Sequence, residues 1–304
     1  GAMLAIQYIV GQLNSPVEQL MNFIYSLQDV KISLERINEI HQSRNEESKN
    51  NQMKEFAGEK AIRINEISFR YDPHSLKKTL DNITFEIPEG KVTAIVGASG
   101  SGKTTLIKLM LGYYPVSEGA IMVSGKNINE YNLKWWRRCC GVVMQDGVIF
   151  SESIARNIAV GDSEVDIARL EQAARIACIH DYILSLPLKY NTKIGRDGVG
   201  LSQGQKQRIL IARAVYKNPV FIFLDEATNS LDAKNEREIV ENLDDFYKGR
   251  TVVVVAHRLS TVKNADQIVV IDSGKVVEKG THTELIEKQG GYFNLVKNQL
   301  ELGN

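Results

Sequence analysis

Gly97-Ala98-Ser99-Gly100-Ser101-Gly102-Lys103-Thr104 is the stretch on which the fold turns. It follows the short apolar run 92–96 and opens a helical pattern that continues to residue 111. Strand, glycine-rich turn and helix in that order form the setting of a phosphate-binding loop. The glycines permit a tight backbone wrap, so that successive N–H groups and the positive end of the helix face anionic phosphates. Lys103 then reaches the β and γ oxygens, and the Thr104 hydroxyl can hold Mg²⁺.

Outward from this loop, short β-rich runs alternate with helical stretches. The runs 61–71, 83–87 and 92–96 come first. Apolar strands are expected at 141–144, 220–224, 251–256 and 267–271, with helices at 203–216 and 233–246. Strands this apolar suit burial on both faces, which predicts an α/β fold with a parallel core and an antiparallel sheet near its start. The run Phe221-Ile222-Phe223-Leu224 ends in Asp225-Glu226, placing two carboxylates at the carboxyl edge of the sheet, where α/β ligands bind. Their expected tasks differ. Asp225 binds in the Mg²⁺ shell, and Glu226 orients and deprotonates an attacking water. Beside a phosphate loop, this catalytic reading outweighs simple capping of the next helix.

Phosphate loop and paired acids are shared by kinases, GTPases and many ATPases; Leu201-Ser202-Gln203-Gly204-Gln205, ahead of the second strand, narrows the choice. It resembles the signature of ABC ATPases. In that family the signature of one subunit completes the ATP site of the other, through the serine hydroxyl and N–H groups at a helix start, which implies roles for Ser202, Gly204 and Gln205. Gln203 departs from the family, where glycine is usual. Further pieces match in order from about residue 61 to residue 300. Tyr71 corresponds to the tyrosine that stacks on adenine, and Thr105 extends the phosphate loop. Gln145 corresponds to a glutamine that touches metal and water, and His257 to the switch histidine that bridges the γ-phosphate and the catalytic glutamate. Asn229-Ser230-Leu231-Asp232 resembles the loop whose aspartate meets the opposite subunit. The resemblance implies ATP and Mg²⁺ as cofactors, with Lys103, Gln145, Glu226 and His257 catalytic and Thr104, Gln145 and Asp225 around the metal. The implied fold is a RecA-like sheet core, an antiparallel β subdomain and a helical signature subdomain.

Two further segments resemble ABC exporters: Ser153-Ile154-Ala155-Arg156-Asn157-Ile158, and Thr192-Lys193-Ile194-Gly195-Arg196-Asp197-Gly198, where Arg196 replaces the usual glutamate. The stretch 3–40 is apolar with helical spacing, is interrupted at Pro16, and carries Gln7, Gln12, Asn14, Glu18, Gln19 and Asn22. It lacks the ~20 mostly apolar residues of a lone membrane span. It resembles the last transmembrane helix of exporters with fused ATPase domains, and its wording is most like bacterial peptidase-containing bacteriocin and peptide exporters. The expected organisation is residues 1–44 as the end of that helix, a polar linker over 45–60, and the cassette over 61–304. Gly1 and Ala2 ahead of Met3 read as a tag remnant.

Lys plus Arg and Asp plus Glu each number 37, so there is no global basic field to draw the chain to nucleic acid, and no nucleic-acid partner is expected. The partners implied by the resemblance are a second copy, in an ATP-dependent head-to-tail dimer, and a transmembrane domain. The implied location is the cytoplasmic face of the inner membrane. Cys139, Cys140 and Cys178, odd in number with two adjacent, argue for reduced thiols over a disulfide framework. Competing readings are an ABC ATPase with no part in transport, which usually carries two cassettes, a long coiled coil or a basic surface, and a slow or binding-only cassette.

Overall fold

The structure is a computed structural model that describes residues 1–42, 46, 53–227, 233–256 and 262–302. It divides into two compact units, Gly1–Ser48 and Lys49–Asn304. The first is one helix, α1 (Ala2–Gln42), and it runs through Pro16 where the sequence suggests a break. Proline removes one backbone donor and crowds the preceding turn, but the turns on either side retain their bonds. Polar pairs one turn apart add to them, such as Gln12 Nε2 donating to the Tyr8 hydroxyl at 2.8 Å. Its large apolar side chains, among them Ile9, Leu20, Phe23 and Leu27, are exposed. Among the described residues no helix is long and apolar enough to cross a membrane.

The second unit is built on a six-stranded sheet. Its strands are β3 (Val92–Val96), β6 (Cys140–Val143), β7 (Phe221–Asp225), β8 (Thr251–Val255), β9 (Gln267–Asp272) and β10 (Lys275–Gly280). They lie in the order β10-β9-β3-β8-β7-β6, all parallel except β10. Alternate residues of one strand enter different cores, as the two-residue period of a strand requires. Ala94, Ile222, Leu224, Val252 and Val254 join one cluster, while Ile95, Phe221, Phe223, Val253 and Val255 join the other. That double burial is why these strands read as continuous apolar runs.

One face is covered by an antiparallel sheet in the order β2-β1-β4-β5, made of β1 (Ile62–Phe69), β2 (Leu80–Ile87), β4 (Glu118–Val123) and β5 (Lys126–Asn127). Helices α2 (Lys103–Met110) and α3 (Leu133–Cys139) share that core through Leu106, Met110 and Trp136. The other face carries α4 (Ile154–Ile158), α5 (Ile167–Ile176), α6 (His180–Ser185), α7 (Gln203–Tyr216) and α8 (Ala233–Tyr247). Two C-terminal helices follow, α9 (His282–Glu287) and α10 (Gly291–Leu302). This is the parallel α/β core, antiparallel β layer and helical signature segment that the sequence implies. The three cysteines are free thiols, and burial pushes Cys140 well above its ordinary pKa and Cys178 up to about 11.

Part of the polar segment 45–60 belongs to the folded core. Met53 N–H donates to the Glu130 carbonyl, and the Met53 carbonyl accepts from Asn132 N–H at 3.0 Å. Phe56 sits among rings, with centroids 4.8 Å from Trp135 and 5.5 Å from Phe221. Trp136 completes the group, its indole N–H donating to the Met110 carbonyl at 3.0 Å. Truncation of Phe56 therefore removes packed apolar surface. Phe56→Ala is expected to destabilise the cassette by about 2 kcal/mol in urea unfolding, where a true linker position would change stability by no more than about 0.5 kcal/mol.

Candidate active site

Strand register assembles the site. Val96 of β3 pairs with Val270, Ile95 with Val255, Asp225 with Val255, and Val143 with Leu224. The carboxyl ends of β3, β6, β7 and β8 therefore finish at one edge, and the chain leaving each carries candidate residues: the phosphate loop after β3, Gln145 after β6, Glu226 after β7. Gln145 lies exposed in the turn beyond β6. His257 and the loop Asn229-Ser230-Leu231-Asp232 lie outside the described residues.

The phosphate loop needs glycine at two places. A side chain on Gly97 would place Cβ 2.0 Å from the Ile271 carbonyl oxygen. Gly102 caps α2 with φ of 107°, and a Cβ there would meet Leu80 at 2.5 Å. Between them Ala98, Ser99 and Gly100 are exposed, whereas Ser101, Gly102 and Lys103 are buried. The Lys103 ammonium donates to the Gly97 and Ala98 carbonyls, both at 2.8 Å, and so lies along the inside of the loop. An ammonium has three protons, which leaves one for a phosphate oxygen. Burial lowers the Lys103 pKa, opposed first by Glu226 and then by Asp225, so both acids act on this cation.

Asp225 is fully buried, and neither carboxylate oxygen makes a hydrogen bond. Burial raises its pKa; the nearby Thr104 hydroxyl pulls the other way without completing a bond. The Ser101 hydroxyl is buried and unpartnered as well. Buried polar atoms are almost always satisfied, so the two unpartnered carboxylate oxygens of Asp225, beside Thr104 and Lys103, mark a site built for a ligand. Glu226 departs from the strand in the left-handed region, φ 52°, with its N–H donating to the Val255 carbonyl at 3.0 Å. Such backbone conformations concentrate at functional sites.

Tyr71, just beyond β1, is half exposed, and its hydroxyl shares a 3.1 Å hydrogen bond with Thr105 of α2. Thr105 thus engages the tyrosine expected at the base site. Ser202 is the N-cap of α7, its Oγ accepting from Gln205 N–H at 3.2 Å, while Gln205 Oε1 accepts from Ser202 N–H at 2.8 Å. The structure brings Tyr71, Gly97, Thr104, Thr105, Lys103, Asp225 and Glu226 into one region. Ser202 and Gln205 are instead closed on each other at the exposed start of α7. The two exporter-like segments, far apart in sequence, are joined: Ser153 bridges Lys193, and Ile154 N–H donates to the Thr192 carbonyl at 3.0 Å. Beside them lies a groove of about 410 Å³ lined by Asp146, Val148, Gly195, Leu201 and Lys206 among others. Tyr114, absent from the motifs above, meets Tyr71 ring to ring; its one mark in the sequence is the doublet Tyr113-Tyr114 behind the phosphate-loop helix.

A parallel sheet with a phosphate loop after one strand and two acids after another defines a P-loop nucleoside triphosphatase. Residues 80–229 match the ABC transporter family, so the chain carries the ATP-binding and ATP-hydrolysing cassette of that family. It is 40% identical over 303 residues to the leukotoxin translocation ATP-binding protein LktB of Mannheimia haemolytica, covering 99% of this chain and 42% of that protein. The Bibersteinia trehalosi LktB matches to the same extent. The chain thus spans less than half the length of these curated relatives. Among solved structures, a bacterial Atm1-family ABC exporter with ATP bound aligns with a TM-score of 0.84 at 32% identity, over 95% of this chain and 51% of that one.

Because Gly102 combines a left-handed backbone with a side-chain-free approach to Leu80, Gly102→Ala strains the loop by about 1–2 kcal/mol before any clash. ATP affinity, measured by calorimetry, is expected to fall about tenfold or more, which a loss of 1.4 kcal/mol produces.

Proposed function

We propose that ATP closes two copies of this cassette head to tail, with two nucleotides at the interface, and that hydrolysis driven by Glu226 reopens them. The observation that carries the hydrolytic part is the unpartnered, fully buried carboxylate of Asp225 beside Lys103 and Thr104. A buried anion without hydrogen bonds is costly, and a cation is what relieves that cost. Mg²⁺ fits this donor set: Thr104, Asp225 and Gln145 would hold it, and when bound it supplies positive charge to the β- and γ-phosphate oxygens. Lys103 binds the same oxygens from within the loop. Tyr71 stacks on adenine, the loop residues Gly97, Ala98, Ser99, Gly100, Ser101 and Gly102 hold the phosphates through backbone N–H groups, and Thr105 supports the loop helix. Glu226 accepts the proton of the attacking water and holds it in line with the γ-phosphorus. His257 orients that glutamate against the γ-phosphate.

The dimeric part rests on Ser202. Its oxygen accepts from Gln205, so its own proton remains for an acceptor outside the helix. The first-turn N–H groups of Gln203 and Gly204 and the positive helix end lie beside it. We assign these groups, with Gln205 behind them and Asp232 across the interface, to the γ-phosphate held by the other copy.

The cassette works with a transmembrane domain at the cytoplasmic face of the inner membrane. That domain docks along the joined segments 153–158 and 192–198. The parent transporter exports a peptide or protein cargo. LktB, by its name, serves leukotoxin translocation, and α1 with its polar and apolar mix is the end of the last membrane helix of this domain. Glu226→Gln is expected to lower ATP hydrolysis by about 10²–10⁴-fold, the range of a lost general base, while ATP binding persists. Turnover followed by phosphate release, together with light scattering for an ATP-dependent dimer, checks this; hydrolysis at the unmodified rate would remove Glu226 from the role of base.

A further inference from the structure

We propose that Tyr114 is a positioning residue of the base site: it holds the ring of Tyr71 in the orientation that receives adenine. The proposal rests on the reading of Tyr71 as the stacking residue. Tyr71 lies beyond the end of β1, in a bend, with half of its surface exposed. A tyrosine on such a segment rotates about two side-chain torsions unless neighbours restrict it, and a mobile ring loses entropy each time a base stacks on it.

Three groups restrict it here. Phe69, buried at the end of β1, stands at 83° to the Tyr71 ring with centroids 5.0 Å apart. Thr105, buried in α2, fixes the hydroxyl at the tip. Tyr114 stands at 90° with centroids 5.2 Å apart, and its ring also reaches Phe69 at 5.9 Å. A bond at the tip leaves the ring able to turn about its long axis, whereas perpendicular neighbours oppose that turn. Perpendicular aromatic pairs are attractive because the positive edge of one ring meets the negative face of the other.

The chain is shaped to deliver Tyr114. Past α2, Gly112 adopts φ of 66°, and Tyr113 N–H returns to the Lys108 carbonyl at 2.9 Å, turning the chain back on the helix. Tyr113 is taken up by Arg137, whose guanidinium carbon lies 5.2 Å from its ring centroid. The doublet is thereby divided, one ring toward α3 and the other toward Tyr71. Base site and phosphate loop are then braced by the same helix, since Thr105 and the turn that carries Tyr114 stand at its two ends.

The test is calorimetric binding of ATP and of inorganic triphosphate to the full chain bearing Tyr114→Leu or Tyr114→Phe, each with Tyr71 present and in a Tyr71→Ala background. An aromatic pair contributes about 0.5–1.5 kcal/mol, so Tyr114→Leu is expected to weaken ATP about 2- to 12-fold and to leave triphosphate binding alone. Tyr114→Phe, which keeps the ring, should retain the affinity of the unmodified chain. With Tyr71 removed, Tyr114→Leu should cost nothing further, as two residues acting through one contact are not additive. Equal losses for ATP and triphosphate, or a loss that persists in the Tyr71→Ala background, would overturn the positioning role. If Tyr71→Ala discriminates between the two ligands and Tyr114→Leu does not, only the role of Tyr114 falls. If Tyr71→Ala weakens both ligands alike, the stacking role of Tyr71 falls and takes this proposal with it.

Discussion

Parallel pairing of β3 with β8 and β9, and of β8 with β7, is the constraint on which the site depends. Parallel strands must all point the same way, so every chain segment leaving a carboxyl end emerges at the same edge. Lys103, Asp225, Glu226 and Gln145 are separated by more than a hundred residues at the extremes, yet each lies no more than seven residues from such an end. A slip of one residue in β7 would turn Asp225 to the opposite face. That slip is opposed by Phe221 and Phe223 in one core and Ile222 and Leu224 in the other.

The interior so formed is used to leave charge incompletely satisfied. Asp225 is buried without a hydrogen bond, and Lys103 is held by carbonyl dipoles with the two acids acting only at longer range. In water neither group would discriminate strongly among ligands. In a low-dielectric pocket each gains much more from an opposite charge, so a ligand that carries both signs suits the pair better than either ion alone.

At Ser202 the structural and functional readings are compatible. A serine before a helix is expected to cap it, and Ser202 does so through a reciprocal arrangement with Gln205. Capping uses an oxygen lone pair and the backbone N–H, while the hydroxyl proton and the next two amides are spared. The same geometry that closes the helix thus leaves these remaining donors unused by the cap.

How much was legible in the sequence follows from the range of the forces involved. Short-range rules determined the phosphate loop, because only glycine tolerates the backbone at Gly102 and only an N–H-rich turn before a helix cradles phosphate. They determined the buried strands too, since double burial demands uninterrupted apolar residues, and the cap at Ser202. Tertiary structure decided the rest. Phe56 stands in a polar run that reads as linker, and only the rings of Trp135 and Phe221, distant in sequence, make it part of the core. The helix α1 passes Pro16 because the loss of one backbone bond is small beside the many retained on either side. Tyr114 is marked in the sequence only by its doublet with Tyr113, and its relation to Tyr71 exists because a turn behind α2 folds it onto β1. The sequence by itself thus determined which chemistry the chain carries, through local backbone and burial requirements. Which side chains stand beside that chemistry was decided by long-range packing, because contacts between residues far apart in the chain leave no periodic trace along it.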